Sequence, residues 1–194
     1  MMEWITSWPI WEMTRILGIL SYLTIFAGLT LGILYSYPFV KGKRKAQIYR
    51  WHTSLTNGGT VVALAHAAIL IISTFAPYRW VDLLIPFASS QYPIGNGIGT
   101  LALYGMLLLL LTSDYRNKIS KHVWLTIHLL AYPIFVGAAV HGYMMGTSSD
   151  SLLTKLMYGG TLLIVVALFA VRASIRPNAK SNAGLKPVRP SVNR

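Results

Sequence analysis

Long apolar runs separated by short polar or basic segments dominate the chain. A helix needs about 20 such residues, at about 1.5 Å rise each, to cross a hydrocarbon core. Five runs reach that length: about Ile16 to Ser36, Gln47 to Phe75, Ile94 to Ser113, Lys121 to Met145 and Leu152 to Val171. The second is interrupted by polar and small residues. Helices satisfy their own backbone hydrogen bonds in lipid. The pattern therefore predicts an all-α integral membrane protein, a bundle of about five transmembrane helices within residues 1–171. The first run reads as a retained helix rather than a cleaved signal. Glu3 and Glu12 precede it, no small-residue cleavage site follows, and it outlasts the about 7–15 residues of a signal core.

Residues 172–194 form a tail rich in Pro, Asn, Ser and Lys/Arg, with too little apolar surface to fold alone. It reads as a disordered basic segment held near anionic lipid, with docking of a cytoplasmic partner as the sharper alternative. The segment from Ala76 to Pro93 is the longest connection and carries Tyr78, Arg79, Trp80, Phe87 and Tyr92. Interfacial aromatics account for that composition, and a lid over an outer site is the alternative.

Composition narrows the chemistry. Only 11% of the 194 residues are charged, against about 25% in a soluble domain. The absence of cysteine excludes disulfides, thiolate zinc sites, iron–sulfur clusters and cysteine nucleophiles. Five acidic residues are too few for a carboxylate-rich di-metal site. The net charge of +12 first suggests nucleic acid, but its placement points elsewhere. Fourteen of the seventeen Lys/Arg fall in the segments 41–50, 116–121 and 172–194. Those segments all lie on one side of a five-span bundle. By the positive-inside rule the N-terminus is outside, the C-terminus is cytoplasmic, and the charge addresses the lipid of a cell membrane rather than nucleic acid.

Four histidines lie inside the runs. His52 and His66 belong to the second, and His128 and His141 to the fourth. An ionisable side chain at membrane depth is costly and marks function by default. The second and fourth runs are parallel, so His52 and His128 share one depth, toward the cytoplasm, and His66 and His141 share another, toward the outside. Fourteen residues on an ideal helix return His66 to within about 40° of His52, about 21 Å further along. Thirteen residues leave His128 and His141 about 140° apart, so the fourth span must be distorted. Pro133 and Gly137 lie between them, and proline kinks membrane helices; a tolerated bend without a site role is the other reading of Pro133.

Two facing imidazoles suit one metal macrocycle. Haem iron takes axial histidine nitrogens and an apolar bundle covers the ring faces. Zinc is the poorer fit, with two ligands per site and no Cys or nearby acid to complete a tetrahedron. Iron with both axial positions filled by His passes electrons rather than binding substrate. Asn57, Gly58 and Gly59, with Gly137, Ala138 and Ala139, either clear space for a ring or permit close helix approach. Gly28 and Gly32 read as helix packing. The run from Gly95 to Gly99 follows no strand and is not a nucleotide loop. Arg50 and Arg79 are candidates to pair haem carboxylates, or else simple interface anchors. His122 reads as interfacial, with a carboxylate contact as the alternative.

At these motifs the sequence resembles the ferric reductase-like transmembrane domain family, which includes ferric reductases, NADPH oxidases and the haem-binding membrane subunit of methionine sulfoxide reductase. The likeness spans about residues 14 to 172. It is carried by Arg50-Trp51-His52 with His66 fourteen residues on, by the stretch from Leu107 to Arg116, by Trp124, His128 and Tyr132 at four-residue spacing, and by Val140-His141-Gly142. The resemblance implies two b-type haems ligated by His52, His66, His128 and His141, with electrons moving from the cytoplasmic to the outer side. Family reductases continue into a flavin and nicotinamide domain, which this sequence lacks. A separate donor, flavin reductase or quinol, and an external acceptor or partner enzyme are therefore expected. The alternatives are a haem-bearing anchor that exchanges electrons with quinone for a partner oxidoreductase, and a non-redox membrane interaction protein.

Overall fold

The computed structural model describes residues 9–72 and 78–175. Glu3, the end of the second run at Phe75, Ala76 and the tail from Arg176 lie outside the described residues. The regular structure among the described residues is helical. The helices are α1 (Ile10–Tyr35), α2 (Gly42–Ile69, prolonged by a tight turn Leu70–Ile72), short α3 (Trp80–Leu84), α4 (Pro93–Asp114), α5 (Lys121–Leu129), α6 (Ala131–Met145) and α7 (Leu152–Ser174). Among the described residues five segments are long and apolar enough to cross a membrane, the fourth formed by α5 and α6 together.

Helix ends follow local chemistry. Pro93 sits in the first turn of α4, where its missing N–H costs nothing. Ser120 Oγ accepts the Val123 amide at 3.3 Å and Ser151 Oγ accepts the Thr154 amide at 3.2 Å, capping α5 and α7. α1 starts at Ile10, earlier than the apolar run, and carries Glu12 in its first turn, where the helix dipole favours a negative charge. α2 starts at Gly42, so Lys43, Arg44 and Lys45 are helical too.

The fourth span breaks at Leu130. The Leu130 amide reaches back only three residues, to the Ile127 carbonyl at 3.0 Å, and Pro133 has no N–H to offer the Leu129 carbonyl. A three-residue turn advances the helix by more than 100° per residue. That is the direction needed to bring His141 round toward the face of His128.

α1 packs along α2, α4 along α6, and α1 also touches α6 and α7. Tyr22 organises the centre. Its ring stacks on Phe135 at 5.1 Å, meets Tyr158 edge-on at 4.9 Å, and its hydroxyl shares a 2.6 Å hydrogen bond with Thr161. Such packing and interhelical hydrogen bonds are what hold helices together where burial of apolar surface gives no drive. Large apolar side chains face outward instead, for example Leu153 (79% exposed) and Leu163 (69%).

The segment before α4 folds back onto it. Asn96 donates to Ser89 Oγ at 2.8 Å and Thr100 donates to the Leu83 carbonyl at 3.0 Å. Phe87 adopts φ 66°, unusual for a bulky residue, and its ring lies where a side chain on Gly97 would otherwise sit. Arg79 and Asp82 close α3 locally: the Arg79 amide donates to Asp82 Oδ2 at 2.9 Å and the guanidinium to Oδ1 at 3.1 Å. These bonds hold the Asp82 carboxyl below its ordinary range.

Candidate functional site

α2 carries His52 and His66, α5 carries His128, and α6 carries His141. The structure brings them into two pairs. The ring centres of His52 and His128 are 6.2 Å apart with planes at 74°. Those of His66 and His141 are 6.3 Å apart with planes at 82°.

These distances exclude a direct hydrogen bond between the rings. Two imidazoles joined by an N–H···N hydrogen bond of about 2.9 Å have ring centres about 5 Å apart. Two metal–imidazole bonds of about 2.0–2.1 Å to one shared ion put the centres about 6.2–6.4 Å apart, a spacing that edge-to-face ring contact also spans. Both pairs have room for one metal ion between the rings, and so the donor set fits a haem iron at each pair.

Tautomer follows from what the other ring nitrogen touches. His52 Nδ1 donates to the Gly28 carbonyl at 2.7 Å, His66 Nδ1 to the Thr14 carbonyl at 2.9 Å, and His141 Nδ1 to the Gly95 carbonyl at 2.8 Å. A carbonyl only accepts, so Nδ1 holds the proton in each ring and Nε2 keeps its lone pair for a metal. His128 differs. Among the described residues its buried Nδ1 has no hydrogen-bond partner, nor has Nε1 of Trp124. The Trp124 indole stacks on the His128 ring at 4.8 Å and 22°. The four-residue spacing of this pair puts both side chains on one helix face.

A cavity of about 230 Å³ surrounds His66 and His141. Its walls are largely apolar, among them Tyr22, Leu103, Met106 and Met157, and its polar lining includes Arg15 and Ser148. Arg15 Nη2 donates to Ser148 Oγ at 2.6 Å. Tyr78 and Leu83 also line the cavity, so the segment before α4 closes one side of it.

Other candidates stand apart. Arg79 is occupied by Asp82, while Arg50 and His122 are exposed. A side chain on Gly58 would meet nothing within 4 Å, and one on Gly137 would touch only Ile98 at 3.6 Å. Sequence reasoning missed Arg15, Thr14 and Gly18, and it read Gly28, Gly32 and the Gly95–Gly99 run as unrelated to the histidines. The recoverable signal was the repeated four-residue spacing of glycines. Among the described residues no three His, Asp or Glu side chains converge on one point. Compared with protein-family models, curated proteins and solved structures, the chain matches none.

Proposed function

We propose that this chain is a di-haem b-type cytochrome of the ferric reductase-like kind, carrying electrons through a cell membrane from a cytoplasmic-side donor to an external acceptor. The observation that carries the reading is the pair of nearly equal ring separations, 6.2 and 6.3 Å, at two levels along α2. His52 and His128 would hold one haem iron, and His66 and His141 the other. Bound haem would supply one-electron exchange between ferric and ferrous iron. Two imidazoles at each iron would leave no place for substrate on the metal. The apolar walls exclude water, and Arg15 with Ser148 would receive carboxylates of the haem held by His66 and His141. His52 and His66 lie about 21 Å apart along α2, so the two centres form a relay. The clustering of basic residues supports a cytoplasmic position for the His52–His128 end.

The test is the haem content of the purified chain. The wild type should give about two b-type haems per chain, with the sharp reduced bands of six-coordinate iron. The His66→Ala and His141→Ala variants should each retain one. A colourless wild type, or two haems retained in both variants, contradicts the proposal.

A further inference from the structure

The three anchored imidazoles share one local design. His66 donates to the carbonyl of Thr14 and lies over Gly18; His52 donates to the carbonyl of Gly28 and lies over Gly32; His141 donates to the carbonyl of Gly95 and lies over Gly99. In each case the accepting carbonyl and the glycine are four residues apart on a helix facing the histidine. The reason is geometric. A helical carbonyl points at the amide four residues on, and the Cβ of that later residue leans back toward it. Remove that Cβ and the carbonyl, already bonded within its helix, is open to a second donor from outside.

The spaces are tight. A Cβ at Gly99 would stand 2.5 Å from His141 Nδ1 and 2.6 Å from Cε1. One at Gly32 would stand 3.0 Å from His52 Cε1, and one at Gly18 would stand 3.1 Å from His66 Cε1. Gly58 and Gly159 have nothing within 4 Å. Close contact with a histidine ring thus marks Gly18, Gly32 and Gly99 and not helical glycine in general.

We infer that Gly18, Gly32 and Gly99 are positioning residues: each opens a notch in its helix that seats one histidine ring, fixes its proton on Nδ1 and presents Nε2 to the metal. This deepens the haem reading and rests on it. A backbone carbonyl cannot be replaced by simple mutation, so the glycine is the handle on each notch.

The test compares Gly99→Ala, Gly32→Ala and Gly18→Ala with Gly58→Ala and Gly159→Ala in the purified, haem-loaded full chain. The readouts are haem per chain, the low-spin electron paramagnetic resonance of the oxidised protein, and midpoint potentials. Gly99→Ala should lose about half the haem while the signal of the other centre stays in place. Gly32→Ala and Gly18→Ala should keep the haem and shift the resonance and potential of one centre each, with potentials rising as the Nδ1 bond weakens. Gly58→Ala and Gly159→Ala should match the wild type. If Gly99→Ala fails to fold, the two milder variants decide. Two haems in the wild type with all three notch variants unmoved, or with the controls shifted equally, overturns this inference alone. A wild type without haem overturns the haem reading and this inference with it.

Discussion

The two histidine pairs have nearly the same separation but are held differently. Both rings of the His66–His141 pair donate Nδ1 to a backbone carbonyl. In the other pair only His52 does so, and His128 is held by a stacked indole with its Nδ1 unpartnered. Anchoring to backbone fixes tautomer and direction at once. Stacking fixes the plane of the ring and leaves the proton uncommitted. An Nδ1–H bonded to a carbonyl also makes the imidazole a stronger donor, which favours the ferric state. Ring spacing and ring basicity are therefore separable: the two pairs share the first and differ in the second.

That contrast can be strained from several directions. Beyond loss of a histidine or of the space at Gly99, the largest effect is expected at Arg15. Its guanidinium lines the cavity around His66 and His141, so Arg15→Gln should lower the potential of the haem proposed there and weaken its retention severalfold, leaving the other centre unchanged. Arg15→Lys should restore part of the potential, because it keeps the charge and loses the planar fork of donors. Equal shifts at both centres in a redox titration would break the separation.

Trp124 tests the other side. Its stacking on His128 is expected to contribute on the order of 1 kcal/mol. Trp124→Ala should broaden or shift the resonance of the His52–His128 centre and spare its neighbour. Trp124→Phe keeps a ring against the imidazole and removes a buried N–H that has no partner, so it should keep the wild-type signal without loss of thermal stability.

The smallest effect lies outside both pairs. The hydrogen bonds from Arg79 depress the Asp82 carboxyl below its ordinary 3.8. The folded state then binds the proton more weakly than the unfolded chain. The stabilisation is complete above the ordinary value and is lost as pH falls through the depressed one. Hydrogen exchange at α3 should accelerate in that acid range, and Asp82→Asn should abolish the dependence while both haem spectra stay fixed.

Much of this was legible in the residues, for a physical reason. Apolar length is a demand of the bilayer, so the five segments could be read directly. The depth match of His52 with His128 and His66 with His141 followed from counting spans. The start of α1 was not legible, because Glu12 and Arg15 are polar yet helical, and a hydropathy run stops where charge begins. Arg79 stood as a carboxylate-pairing candidate because its engagement by Asp82 is a local turn that spacing does not announce. The notches were hidden for another reason: Gly95 and Gly99 acquire their meaning from His141, a residue more than forty positions away on another helix.

The central claim, two bis-histidine haems distinguished by how their ligands are anchored, is tested most directly by a redox titration of the purified wild-type chain followed by absorbance, with haem counted in the same sample. The prediction is about two b-type haems per chain titrating as two one-electron components, with the His52–His128 centre, assigned by its loss in His52→Ala, the more easily reduced by tens of millivolts once Arg15→Gln has removed the charge that favours reduction of the other. Absence of haem contradicts the site itself, and a His66–His141 centre that is still the more easily reduced in Arg15→Gln contradicts the account of how the two sites differ.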